Sequence, residues 1–396
     1  MSHAGLLAVA AAGAALILAV LWDGFETIVL PRRVTRRLRL TRLVYRLLWQ
    51  PWRWLAGRIA EGQRRDNVLA YFGPLSFLLL LGFWITVLIV GFAAIMWGLW
   101  PLTALQGPHS FGQYLYFSGT TLLTLGLGDV LPAPGPARVL AVLEAGTGFG
   151  FLALMISYLP MLYQAFSRRE VSVSLLDARA GSPPTALEFL RRHLLAGHPG
   201  VMEQALREWE RWSAELLESH LSYPILAYFR SQHEHQSWLT ALTTVLDASA
   251  LVVAGSDGPR KAAAQFTFAI ARHAAVDLSQ IFLLDPTCDA GNRLPASTLE
   301  RMQSRMGELD VHISEHLAIR KLSEMRSMYE PYVQTMADFF LMPLPDWMPA
   351  AAVVDDWQTS PQGVAILHAS SRSVHPAEDG STPAVHSTNR VQAKEQ

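Results

Sequence analysis

The sequence predicts an all-α membrane protein, with three membrane spans followed by a helical, water-facing domain. Three observations carry that prediction. The 396-residue chain is 51% hydrophobic and 16% charged. Its apolar residues gather in runs near 5–30, 74–100 and 138–166, each long enough for the roughly 20 residues that a helical span needs. Beyond Arg169 the runs stop and apolar residues recur at helical intervals instead. Arginines crowd the loop between the first two runs, which by the positive-inside rule makes that loop cytoplasmic and the N-terminus external.

The first span is expected within residues 1–30. It lacks a basic start and its apolar run continues too far for a cleavable signal peptide. Asp23 and Glu26, three apart, share a helix face near its end. They are read as boundary residues pairing with Arg32, Arg33 or another subunit, in preference to a proton or ion relay, because charges near helix ends reach the interface cheaply.

Residues 31–70 form a basic cytoplasmic segment. Its belt comprises Arg32, Arg33, Arg36, Arg37, Arg39, Arg42 and Arg46, then Arg53, Arg58, Arg64 and Arg65. Arg33, Arg36, Arg39 and Arg42 have the spacing of a voltage-sensor helix, but only one span precedes them to offer counter-charges. Val34, Leu38, Leu43, Val44, Leu47 and Leu48 instead make an apolar stripe. The expectation is an amphipathic helix on the cytoplasmic leaflet, attracted by anionic lipid.

The second span runs from Pro74 to Trp100, with Trp97 and Trp100 as interfacial anchors. Pro101 to Ser110 reads as an external turret. Phe111 to Leu123 is too short to cross and fits a helix that enters and stops, its C-terminus aiming partial negative charge inward. Leu131 to Pro136 returns the chain outward, and Arg138 to about Phe166 is the third span. Glu144 lies well inside it, where a carboxylate is costly unless it faces water, a partner or the protein interior. Gly146, Gly148 and Gly150 alternate just beyond.

Between the last two spans lies Thr120-Thr121-Leu122-Leu123-Thr124-Leu125-Gly126-Leu127-Gly128-Asp129. This stretch resembles the pore helix and selectivity filter of the tetrameric potassium-channel superfamily, whose filter reads Thr-x-Gly-x-Gly-Asp. The resemblance covers about residues 71–169. It implies that Thr124, Leu125, Gly126, Leu127 and Gly128 line an ion path with backbone carbonyls in place of the ion's hydration shell. Glycine permits the φ > 0 conformations that such a path requires. Potassium would be the permeant species, with no resident cofactor, and one filter per chain implies a homotetramer. Leu127 stands where the family usually has Tyr or Phe, so the bracing aromatic cuff is absent or rebuilt, and strict selectivity is less secured than conduction. Thr120, at the position of a bracing acid in some members, Asp129 and Glu144 are the expected filter supports. Gly148 falls where the inner helix carries its hinge glycine, a position that close helix packing would also explain.

A linker over 170–184, containing Gly181-Ser182-Pro183-Pro184, opens a helical cytoplasmic domain at 185–345. Thr185 to Glu188 and Ser297 to Glu300 have capping-box spacing. Met202, Ala205, Leu206, Trp209, Trp212 and Leu216, then Met302, Met306, Leu309, Ile313 and Leu317, recur at helical intervals. Leu239 to Ala254 is short and broken by Asp247, so a buried core helix is expected there and not a span. No Gly-x-Gly-x-x-Gly follows a strand, which leaves no sign of a dinucleotide-binding regulatory domain. Residues 356–396 have the composition of a disordered tail.

His312-Ile-Ser-Glu315-His316 matches an inverted zinc-peptidase pattern, but a solvated helix face gives the same spacing, and no metal site is expected. Cys288, the single cysteine, excludes an intramolecular disulfide. His233 and His235 flank Glu234 in a polar turn. No enzymatic or nucleic-acid signature is found, and the domain's ligand is not encoded legibly. The functional expectation is passive potassium conduction across the inner membrane. A poorly selective cation channel, or a non-conducting receptor or scaffold signalling through the cytoplasmic helices, stand as alternatives.

Overall fold

The computed structural model describes residues 2–30, 39–100, 102–106, 110–196, 198, 200–231, 236–286, 291–307, 311 and 316–349. Four helices among these are long and apolar enough to cross a membrane: His3–Val29, Gln63–Gly98, Pro136–Ala180 and Trp238–Gly255.

Helix α1, His3–Gly24, continues into a π-turn, Phe25–Val29. It packs antiparallel against α4, Phe72–Gly98, at glycine contacts. A Cβ on Gly13 would lie 2.5 Å from the Gly91 carbonyl oxygen, and one on Gly98 2.5 Å from that of Leu6. Small residues thus let two helices approach in a setting where packing, not water exclusion, drives association.

Asp23 and Glu26 at the end of α1 are both buried. Asp23 accepts from the Thr41 amide at 3.0 Å, the Thr41 hydroxyl at 2.6 Å and the Trp84 indole at 3.0 Å. Its carboxylate therefore caps the first turn of α2, Leu40–Ala56, where orphan amides and the helix dipole favour negative charge. Glu26 accepts from Trp22 at 2.7 Å and faces Arg39 at 3.7 Å. The expected partners Arg32 and Arg33 lie outside the described residues, as do Arg36 and Arg37.

Helix α2 is amphipathic in two directions, and one of its faces is taken up by protein. Tyr45, Trp49 and Trp52 pack against the aromatic cluster of Phe72, Tyr228, Phe339 and Phe340, and Trp49 donates to the Phe339 carbonyl at 3.2 Å. Leu43, Leu47 and Trp54 stay exposed on another face. Three aromatic positions give one face enough apolar area to be claimed by the C-terminal domain. Helix α3, Gln63–Ala70, leads into α4.

Helix α5, Phe111–Leu122, is capped by Ser110, whose hydroxyl accepts from the Gln113 amide at 3.4 Å. It packs against α4 and α6, Pro136–Ala180. The segment assigned as a linker over 170–184 is helical up to Ala180; the break is confined to Gly181 (φ 86) and the prolines after it.

The remaining helices are α7 Ala186–Leu194, α8 Val201–Ser222, a 3-10 turn Pro224–Tyr228, α9 Trp238–Gly255, α10 Gly258–Ile281, α11 Ala296–Met306, α12 His316–Ser327 and α13 Glu330–Phe340. Thr185 caps α7, accepting from the Glu188 amide at 3.4 Å. Ser297 does not cap α11, which begins one residue earlier behind Pro295. Met202, Ala205, Leu206, Trp209, Trp212, Leu216, Met302 and Met306 are buried, whereas Leu317 is 72% exposed. Leu309, Ile313, His312, Glu315, Cys288, His233, Glu234, His235 and the tail 356–396 lie outside the described residues.

Helix α9 is the centre of this domain: 89% of its apolar window is buried against protein. Its one acid, Asp247, receives Arg293 at 2.7 Å and the Tyr329 hydroxyl, and Arg293 also donates to the Pro345 carbonyl at 2.7 Å. A buried carboxylate survives there because it is paired and hydrogen-bonded. Arg169, near the end of α6, is buried too and donates to the carbonyls of Leu226 (2.8 Å) and Phe229 (2.9 Å). Phe229 presses on α4, where a Cβ on Gly73 would lie 2.7 Å from its ring. The 3-10 turn is thereby clamped between α4 and α6.

Candidate functional site

The run after α5 has an alternating backbone. Thr124, Gly126 and Gly128 take φ values of 56°, 58° and 77°. Glycine does so freely, but a β-branched residue does so only where its surroundings enforce it. Here the enforcement comes from Thr120. Its carbonyl accepts from both the Leu125 amide, 2.8 Å, and the Gly126 amide, 3.3 Å, while the Thr124 amide reaches Thr121 at 3.0 Å. The end of α5 thus becomes a fixed exit turn. The Thr120 hydroxyl donates to the Phe117 carbonyl within α5 at 2.9 Å, and the Thr120 carbonyl does the holding.

Thr124, Leu125, Gly126, Leu127, Gly128 and Asp129 are all exposed in the single chain, Leu125 at 60% and Leu127 at 62%. Asp129 is anchored all the same. It accepts from the Tyr116 hydroxyl at 2.7 Å and from the Val130 amide at 3.1 Å. Tyr116 went unnoticed in the sequence, where nothing in its spacing pairs it with Asp129. The loops on either side are joined by a short antiparallel bridge, with Gln106 donating to Leu131 and Ala133 to Ala104, both at 2.9 Å.

Behind the run, α6 supplies Glu144 and Gly148. Glu144 is fully buried and points into the α5 interface, where its Oε1 accepts from the Ser118 hydroxyl. Ser118 also lies 2.9 Å from the Ile89 carbonyl of α4, so one hydroxyl ties three helices. Oε2 of Glu144 has no protein partner. Ser118 is a second residue that sequence reasoning passed over, since nothing marks one helical serine from another. Gly148 passes the end of α5 at backbone contact, where a Cβ would lie 1.9 Å from the Leu122 carbonyl oxygen. Helix α6 continues unbroken through it. Among the described residues no cluster of His, Cys, Asp and Glu could hold a metal ion.

An uncharacterized membrane protein, YdjJ, of Bacillus subtilis is 23% identical over 235 residues, which cover 53% of this chain and 60% of that protein. The chain therefore spans less than two thirds of that relative's length. No solved structure matches. The apolar helices and this relative make the chain a membrane protein. Residues 78–164, from within α4 to within α6 and including the alternating run, match the ion channel family.

Proposed function

We propose that the protein is a homotetrameric channel that conducts potassium passively through a filter formed by Thr124, Leu125, Gly126, Leu127 and Gly128. The observation that carries the reading is the left-handed backbone at every second residue, Thr124, Gly126 and Gly128. Alternation of that kind lets consecutive carbonyls share one direction, as replacement of a hydration shell requires. The exposed Leu125 and Leu127 and the exposed apolar face of α6, with Val142, Phe149 and Ile156, favour further copies around one axis. Four loops ring one ion.

In this reading Thr120, Asp129 and Glu144 brace the filter, and Gly148 serves as hinge as well as packing contact. Helices α1, α4 and α6 span the inner membrane, and α9, covered by protein, belongs to the helical domain. The arginine belt and the C-terminal domain face the cytoplasm, with anionic lipid beside α2. The domain biases the gate through α6; no catalytic role is assigned to it.

Potassium flux from purified protein in liposomes tests this. Gly126→Ala should abolish flux and leave assembly intact, because a Cβ opposes the required backbone. Unchanged flux in that variant would remove the filter assignment. A bi-ionic reversal potential without preference for potassium over sodium would reduce the protein to a general cation pore.

A further inference from the structure

Helices α1 and α2 lie outside the stretch that matches the ion channel family, yet they build a feature of their own. A groove of about 1340 Å³ runs along α1 past Ala15, Leu18, Ala19 and Trp22 to Arg42 and Arg46 of α2, and Gln280 at the end of α10 with Leu284 just beyond it closes it. Arg42 and Arg46 are four apart and share a helix face. The same arginines border an inner cavity of about 530 Å³ that reaches Phe77 and Tyr158 between α4 and α6.

The two halves of the groove differ in chemistry. The α1 half is apolar and open at the surface, with Leu18 at 67% and Trp22 at 55% exposed. The α2 half is cationic. Of the acids that line it, Asp23 is taken up by Thr41 and Trp84, and Glu26 faces Arg39; Asp285 is exposed at its edge. Burial, and then the neighbouring Arg39 and Arg46, hold the Arg42 pKa below the ordinary arginine range. A positive field at the mouth of an apolar trough suits an amphiphilic anion.

We propose that this groove binds one anionic phospholipid, its phosphate held by Arg42 and Arg46 and an acyl chain laid along α1 against Leu18 and Trp22. From Ala15 to Trp22 the helix offers about 10 Å of apolar wall at 1.5 Å per residue, enough for the upper half of an acyl chain. The guanidinium fork matches phosphate geometry. Because α10 supplies one wall, the bound lipid would join the membrane helices to the helical domain. This rests on the membrane-surface reading of α2 given above.

The full chain in detergent tests it, with dioleoylphosphatidylglycerol as probe and the phosphatidylcholine analogue as reference. The anionic lipid should raise Tm by at least about 3 °C over the reference, and native mass spectrometry should retain one copy per chain. Arg46→Gln, at an exposed position, should remove that gain without changing Tm in phosphatidylcholine. Ala19→Trp should do the same by filling the trough. Arg58→Gln, outside the groove, should leave the gain in place. Equal loss in Arg58→Gln would mean general surface attraction and would overturn the site while sparing the reading of α2. An equal gain from soluble glycerol phosphate would overturn the lipid. No preference for the anionic lipid at all would sink the site and the reading of α2 together.

Discussion

The Ser118 hydroxyl donates to the Glu144 carboxylate across the α5–α6 interface, and neither side chain is exposed. A carboxyl group at that depth needs a partner to be tolerated, and it finds one on α5, the helix that leads into the alternating run. Glu144→Gln keeps shape and most hydrogen bonding while removing charge. It should change inactivation with little effect on single-channel conductance. Ser118→Ala should have the same phenotype, and the double variant should be no worse than the stronger single one, as for two residues acting as a unit. Single-channel recordings check this, and a large fall in conductance would place the carboxylate on the ion path instead.

Gly148→Ala should be far more damaging than Gly146→Ala or Gly150→Ala. A methyl group at Gly148 meets the Leu122 carbonyl, whereas nothing lies within 4 Å of the corresponding Cβ at Gly146 or Gly150. The expected result is separation of α5 from α6, with lost flux and a lower Tm in detergent. A pure hinge role predicts otherwise: altered open probability with normal thermal stability.

His220 should make the helical domain sensitive to acid. Burial, and then the Arg169 guanidinium, push its pKa down to about 3. A histidine with a depressed native pKa binds its proton preferentially in the unfolded chain, so its contribution is intact above the unfolded value near 6.5 and is lost as pH falls from there toward 3. The slope is about 1.4 kcal/mol per pH unit in that window. His220→Gln should flatten the stability profile between pH 4 and 6.5 relative to the parent, measured by denaturation in detergent. An unchanged difference across that range would contradict the assignment.

Arg293→Met should cost about 3–5 kcal/mol by stranding the buried Asp247 carboxylate. Replacing both with apolar residues should recover much of that loss, since the desolvation penalty then disappears for both. Urea titration of the two variants decides it. If the double variant is destabilised as much as the single one, the loss does not come from the stranded charge.

The module from α4 to α6 was readable because apolar runs and a short motif are local signals. Helix lengths follow from the runs, and the glycines at 126 and 128 announce a left-handed backbone. The partners were not readable in the same way. Thr124 shares that backbone without being glycine, and only the two amides gathered on the Thr120 carbonyl explain why. Tyr116 and Ser118 acquire meaning from what faces them across an interface, which no periodicity encodes. The second face of α2 was hidden for a related reason. Its apolar stripe was legible, but which residues meet Tyr228 and Phe340 depends on segments far away in the sequence.

Helix α9 has a consequence for how the chain is made. By length and composition this segment of 18 residues qualifies for membrane insertion during synthesis, as α6 does. The helices that cover it most are α10, which follows at once, and α12, which is made only later, while α7 is already available. Asp247 sits at its midpoint, where an aspartate raises the cost of insertion by roughly 2.5–3.5 kcal/mol. On the three-span reading, the residue that anchors Arg293 in the finished domain is also what keeps the segment out of the bilayer while the domain is incomplete. Asp247→Leu would then act on topology, sending a fraction of newly made chains across the membrane with α10 to α13 on the wrong side.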